Sequence, residues 1–179
     1  MINKEKLILY IWLFSLFFII LLGVIFSFKR PPSEIIAADK ELIKMTEKVR
    51  MYYRNRPDYW GLNNTVAIEQ KFYQGELKDN KIFNTLGKEV VIGADGDGTQ
   101  VMPGARSFVI TYRELDKKEC IELAIFQGKE QDKLGLISMS IQNDKGTYDF
   151  SWGNKGLPLS RKQAKQYCQE KNNIMWSFE

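Results

Sequence analysis

A run without a single charged residue extends from Leu7 to Phe28 and constrains this chain more than any other feature. At about 1.5 Å of helical rise per residue it covers roughly 33 Å, enough to cross a bilayer hydrocarbon core of about 30 Å. A buried helix of a soluble protein is the alternative, but such helices rarely continue for about six turns without a charge. We predict a transmembrane helix over residues 7–28, preceded by a short cytoplasmic N-terminus, residues 1–6.

The segment after this run favours an uncleaved anchor over a removed secretory signal. A secretory signal has a shorter apolar stretch of about 7 to 15 residues, with small residues at the cleavage site. Here the run leads into Lys29, Arg30 and two prolines, and the best downstream candidate, after Ala38, has bulky Ile36 at the third position back. We therefore expect the helix to remain attached.

The flanking charges and the cysteines give opposite indications of orientation. Basic residues follow the span as well as precede it, which by the positive-inside rule does not favour an exported C-terminus, although long domains translocate largely regardless of charge. The chain has two cysteines, Cys120 and Cys168, and a disulfide between them would need an oxidising compartment and add about 4 to 5 kcal/mol. Two separate buried thiols are the alternative. We favour the disulfide and a periplasmic C-terminal domain.

A second, amphipathic helix is predicted to continue from the first over residues 29–55. Ser33 can cap it after Pro31 and Pro32, and Glu34 lies in its first turn. Apolar residues recur at spacings of three and four and form a stripe, which we call the packing stripe: Ile35, Ala38, Leu42, Met45, Val49 and Tyr52. We expect it to pack on a sheet, while the opposite, charged face stays in water: Asp39, Lys40, Lys44, Glu47, Lys48 and Arg54. A two-stranded coiled coil is the alternative, but about two and a half heptads is short for one.

Residues 56–179 are predicted to form a globular α+β domain. An irregular link precedes a short helix, which Asn64 can cap and which is predicted to continue through Tyr73. Short runs rich in β-branched and aromatic residues then predict an antiparallel sheet, with strands at Glu89–Gly93, Ser107–Tyr112, Leu134–Gln142, Thr147–Trp152 and Asn173–Phe178. Two helices fit between them, Asp116–Phe126 and Ser160–Lys171, the second with a capping box of Ser160 and Gln163.

The composition argues against catalysis. The chain has no histidine, which excludes Ser-His-Asp and Cys-His sites, and it has no nucleotide-binding glycine motif. Asp95 and Asp97 resemble the start of a calcium loop but lack its later ligands, so a turn is the better interpretation. Asp116, Glu119 and Glu122 are expected on the wet face of their helix. A net charge of +4 without a visible patch gives no indication of nucleic acid binding. We predict no catalytic, cofactor or metal site, and no enzyme.

A series of landmarks between Met51 and Glu179 carries a family resemblance. Tyr52, Tyr59 and Leu62 precede the short helix, and they are followed in order by Ile82-Phe83-Asn84, Gly87, Val90-Val91-Ile92, the strand Phe108–Tyr112, Cys120 with Leu123, Cys168 and Asn172–Ile174. In this order they resemble the globular half of the PilS-like class B type IV pilins. The resemblance covers roughly seven tenths of the chain.

The resemblance implies a pilin fold, in which a protruding N-terminal helix packs its second half on an antiparallel sheet. It also implies that Cys120 and Cys168 bound a C-terminal variable region, and that the helices bundle into a filament core. The expected function is that of a structural component of a type IV pilus or a related secretion or transfer machine. Its expected partners are the membrane and other pilins, and its expected location is the bacterial inner membrane, crossed once, or a surface pilus.

The N-terminus departs from the pattern of that family. The family has a leader ending in glycine, directly followed by an apolar run that only a glutamate interrupts, at its fifth position. No such glycine occurs here, and Glu5, the candidate glutamate if Met1 is the processed residue, lies between Lys4 and Lys6. We therefore expect a minor or membrane-retained pilin. The alternative is a membrane-tethered periplasmic binding module or adhesin-like domain that uses the loops Asp95–Arg106 and Asp149–Leu159.

Overall fold

The computed structural model describes Trp12 and residues 33–94, 104–126, 134–152 and 156–179. The chain divides into two compact units, Met1–Pro32 and Ser33–Glu179. Within the described ranges no helix combines the length and the apolar character needed to cross a membrane. The predicted span, residues 7–28, lies outside the described residues except for Trp12, as do residues 1–6 with Glu5, so these assignments stay predictions.

The second unit begins with a long helix, α1, Ser33–Tyr53, which carries Glu34 in its first turn and Arg50 in its last. Both charges stabilise the helix dipole at their ends. A short helix, α2, Asn64–Glu69, follows the irregular link and ends four residues before the predicted Tyr73. Its cap is Asn63, one residue earlier than predicted, because the Asn63 side chain accepts a hydrogen bond from the amide of Val66 at 3.0 Å.

Seven strands form one antiparallel sheet: β1 Glu76–Lys78, β2 Lys81–Phe83, β3 Glu89–Ala94, β4 Phe108–Leu115, β5 Leu136–Asn143, β6 Gly146–Ser151 and β7 Asn172–Phe178. Their order across the sheet is β1-β2-β3-β4-β7-β5-β6. The last strand thus lies between β4 and β5 and pairs with both. The five predicted strands are present with bounds shifted by at most three residues.

The hairpin of β1 and β2 was not predicted from the sequence. Its two turn residues, Asp79 and Asn80, have φ values of 48° and 60°. Two successive positive φ values define the tight turn that matches the twist of a hairpin, and Asp and Asn tolerate them better than most residues. The strands are short and largely charged, so they lack the alternation on which the other predictions depended.

Two further helices lie beside the sheet: α3, Lys117–Phe126, and α4, Arg161–Tyr167. Asp116 and Glu119 cap α3 reciprocally, since each carboxylate accepts a hydrogen bond from the other residue's amide at 2.8 and 2.7 Å. Helix α4 has the predicted capping box at Ser160, but it ends at Tyr167, where the backbone of Cys168 becomes extended. These caps fix where each short helix begins.

The core lies on the face of the sheet that α1 covers. Along β7 the residues alternate between buried and half-buried, and Ile174, Trp176 and Phe178 point to the α1 side. They pair with Tyr112, Ile110 and Phe108 of β4, in that order. These six side chains belong to one continuous cluster with the apolar residues of α1.

Candidate functional site

The packing stripe of α1 lies against the sheet for most of its length. Ile35, Ala38, Leu42, Met45 and Val49 are all buried in the core cluster. Tyr52, the sixth residue of the predicted stripe, is half-buried, and its ring meets that of Phe72 edge-on at 5.4 Å. Tyr53 takes the last buried place instead, because a 3.6-residue period advances by four positions from Val49.

Hydrogen bonds connect α1 to the rest of the domain at three positions along the helix. The Tyr112 hydroxyl donates a hydrogen bond to the carbonyl of Ala38 at 2.9 Å. The Glu41 carboxylate accepts one from the amide of Thr85 at 2.9 Å. Near the end of the helix, Nε of Arg50 donates to the backbone oxygen of Glu179 at 2.6 Å. Each contact fixes the position of α1 along its own axis. Apolar packing alone defines this position less well, because it is not directional.

Tyr112 is the most enclosed of these groups. Burial raises the pKa of its hydroxyl well above the usual value, and the nearby carboxylates of Glu41 and Asp39 raise it further. The hydroxyl therefore stays protonated and able to donate to Ala38 at all ordinary pH values. Its ring also packs edge-on against Trp176 at 5.2 Å.

Fewer charged residues of α1 are exposed to solvent than its sequence pattern predicts. Asp39 was expected in water but is only 5% exposed, because it lies next to Ala38 at the side of the packing stripe. Glu41 is also buried. The sequence did not predict its contact with Thr85. Its position directly before Leu42 of the packing stripe is the feature that could have indicated its burial. The residues that remain exposed form a second stripe, the outer stripe: Lys40, Lys44, Glu47 and Met51.

The predicted disulfide is confirmed. Cys120 of α3 and Cys168, directly after α4, are bonded, with their Cα atoms 5.9 Å apart and a sequence separation of 48. Both are fully buried. The bond therefore joins the two short helices and encloses β5, β6 and α4 in a covalent loop.

An ion pair lies beside the disulfide and corrects another prediction. Glu122 was expected on the solvent-facing side of α3, but it is only 7% exposed. Its two carboxylate oxygens accept hydrogen bonds from the two terminal nitrogens of Arg161, the one from Nη2 at 2.8 Å. The hydrogen bond to Glu122 raises the pKa of Arg161 above its usual value. The buried acid is on the inner side of α3 because α4 brings a matching base to it.

Several predicted features cannot be placed in the structure. Of the proposed binding loops, residues 95–103 and 153–155 lie outside the described residues. Among the residues that are described, no group of three or more potential ligands could hold a metal ion. The predicted absence of catalytic, cofactor and metal sites stays a prediction.

Comparison with known proteins agrees with this geometry. The family described as PilS N terminal matches residues 33–178, which is most of the chain. No curated protein sequence matches significantly.

Solved structures of two pilins resemble the chain at low sequence identity. TcpA, a type IV pilin from Vibrio cholerae El Tor biotype, has 13% identity and a TM-score of 0.52, over 81% of this chain and 97% of its own. The type IV b pilin from Salmonella typhi has 14% identity and a TM-score of 0.49, over 78% and 97%. At such identity the likeness to TcpA concerns the fold alone. The chain thus belongs to the PilS N-terminal family and is a type IV pilin-like structural protein.

Proposed function

We propose that this protein is a minor or membrane-retained subunit of a type IV pilus or a related secretion or transfer machine. The observation that carries the proposal is the two-sided construction of α1 in a PilS N-terminal family domain. One side is fastened to the sheet by the packing stripe and by Tyr112, Glu41 and Arg50. The other side carries the outer stripe, which is exposed and available to other subunits.

The chemistry of the outer stripe supports contact with neighbouring helices. Lys40, Lys44 and Glu47 supply charges of both signs at helical spacing, and Met51 adds an apolar surface that is 71% exposed. Opposite charges on neighbouring helices select partner and register more than they add affinity. A flexible thioether adapts to surfaces of different shape. Such a face suits contacts that form and dissolve during assembly.

The disulfide and the apolar run support the proposed location. A buried bond between Cys120 and Cys168 persists in an oxidising compartment such as the periplasm. The run Leu7–Phe28 would tether the domain to the inner membrane. We propose that the domain faces the periplasm and acts through contacts with other pilins, without catalysing a reaction.

The test is to express the chain in cells with and without the matching assembly genes, and to compare sheared filaments with membranes. We expect most of the protein in membranes and at most a trace in filaments, together with a loss of filaments when its gene is deleted. Abundance in filaments comparable with the main subunit would contradict the minor role. Unchanged filaments after deletion would contradict the structural role altogether.

A charge reversal tests whether assembly depends on the outer stripe or on exposed basic residues in general. The double change Lys40→Glu and Lys44→Glu should reduce filament number while the domain stays folded, because both side chains are exposed. The matched control reverses Lys145 and Lys171, which are exposed on other elements. An equal loss of filaments in the control would remove the outer stripe from the proposal.

A further inference from the structure

A depression at the C-terminal end of α1 brings four arginines together. It has a volume of about 410 Å³ and lies between the end of α1, the link that follows it and the start of β4. Its charged lining consists of Arg50, Arg54, Arg56, Arg106, Asp58 and Glu179. Counting side chains alone, four positive charges face two negative ones.

The two carboxylates do not neutralise the arginines. Both oxygens of Asp58 accept hydrogen bonds from backbone amides, one from Trp60 at 3.1 Å and the other from Gly104 at 2.9 Å. Arg50 binds the backbone oxygen of Glu179 and not its side chain. Within the described part of the chain, no Asp or Glu side chain forms an ion pair with any of the four guanidinium groups.

Two of the arginines are held in place and two are uncommitted. The guanidinium of Arg56 lies over the ring of Tyr52 at 4.5 Å and donates to its hydroxyl at 3.0 Å. Arg50 occupies the space where a side chain on Gly135 would be, since a Cβ there would come within 2.1 Å of the guanidinium. Arg54 and Arg106 are exposed and make no hydrogen bond or ion pair with other described residues.

We propose that this depression binds a small ligand that carries more than one phosphate group, of the class of phosphorylated saccharides. A phosphate has several acceptor oxygens and about two negative charges, so it can receive the planar forks of several arginines at once. A single carboxylate engages one fork. The volume falls within the range of about 300 to 1,000 Å³ that is typical of small-molecule sites, and the half-buried Tyr59 adds an apolar wall for a sugar.

Calorimetric titration of the full chain in a nonionic detergent at low salt tests the proposal with defined probes. We expect fructose 1,6-bisphosphate to bind, glucose not to bind, and the affinity to fall as salt is added. Citrate has three carboxylates and no phosphate, and we expect it to bind more weakly. Citrate that binds as tightly as the bisphosphate would overturn the assignment to phosphate, and glucose that binds equally well would overturn the role of charge.

Substitution of the two uncommitted arginines locates the site. Arg54→Gln with Arg106→Gln should weaken bisphosphate binding at least about tenfold, because two charge-assisted hydrogen bonds are removed. Both residues are exposed, so circular dichroism should show an unchanged fold. The control, Arg113→Gln with Lys145→Gln, removes the same charge from another surface and should leave the affinity unchanged. Equal weakening in both double variants, or in neither, would overturn the proposal.

Discussion

Helix α1 has 21 residues and buries a stripe along most of its length, whereas α3 and α4 have 10 and 7 residues and are joined by a disulfide and an ion pair. An isolated helix shorter than about 12 to 15 residues is marginal in water, so α3 and α4 depend on what holds them from outside. α1 is long enough to gain most of its stability from packing. We therefore expect α1 to depend mainly on burial, and α3 and α4 to depend more on the covalent bond and the ion pair that join them.

Removal of the disulfide that joins α3 and α4 should cause the largest loss of unfolding free energy. Cys120→Ser with Cys168→Ser releases a loop of 48 residues, which corresponds to about 4 kcal/mol of unfolding free energy in the chain-entropy model. Urea unfolding in a nonionic detergent measures it, followed by tryptophan fluorescence, to which the buried Trp176 contributes. Reduced wild-type protein serves as the control and should match the variant. An unchanged midpoint would show that packing alone holds α3 and α4.

A cavity in the packing stripe tests whether the burial of α1 stabilises the domain. Leu42→Ala should lower the unfolding free energy by about 3 kcal/mol, since Leu42 is fully buried between α1 and the sheet. Lys44→Ala, two residues away on the outer stripe, should change it by less than about 0.5 kcal/mol. The same urea titration checks both. Equal losses would mean that α1 is not anchored by this stripe.

Removal of the ion pair between Glu122 and Arg161 tests how much it contributes to holding α3 and α4 together. Glu122→Gln should cost about 1.5 kcal/mol, because Glu122 is buried while its partner Arg161 remains about half exposed and partly solvated. A double-mutant cycle with Arg161→Gln isolates the coupling. The coupling should be larger in the variant without the disulfide, where the pair is the remaining polar link between the helices. A coupling near zero in both backgrounds would leave the disulfide as the only link that matters.

The smallest effect is expected at the contact between Tyr112 and Ala38. Tyr112→Phe should cost about 1 kcal/mol at pH 8, since it removes one buried hydrogen bond. The pKa of Tyr112 is raised in the folded state, so its contribution is complete below about pH 10, where the unfolded side chain begins to ionise, and is lost as the pH rises further.

The pH dependence therefore distinguishes the tyrosine from a packing defect. Above about pH 10 the wild type should lose up to about 1.4 kcal/mol per pH unit more than Tyr112→Phe, so the difference between them shrinks and then changes sign. Thermal unfolding between pH 8 and pH 11 follows this trend. Parallel curves for the two proteins would show that Tyr112 does not remain protonated in the core.

Features with a strong local pattern could be predicted from the sequence. The packing stripe, five strands and the capping box at Ser160 each depend on residues close together in the chain, and the structure contains them with small shifts at their ends. The disulfide followed from there being only two cysteines.

Features that depend on distant partners could not be predicted in the same way. Glu122 is buried because Arg161, 39 residues later, reaches it, and no local pattern contains that information. Asp39 is only 5% exposed although the next residue in the sequence, Lys40, is exposed. The arginine depression joins Arg54 and Arg106 from two elements, and only the folded backbone makes them neighbours.

The position of β7 has a consequence for the order in which the domain forms. β7 follows β4, β5 and β6 along the chain, yet it separates β4 from β5 in the sheet. Until it inserts, the facing edges of β4 and β5 have unpaired backbone groups, which attract strands of other molecules. Pairing between residues far apart in sequence also folds slowly. The nascent domain therefore has an open seam until β7 has been synthesised and has inserted, and we expect aggregation to increase if that insertion is delayed.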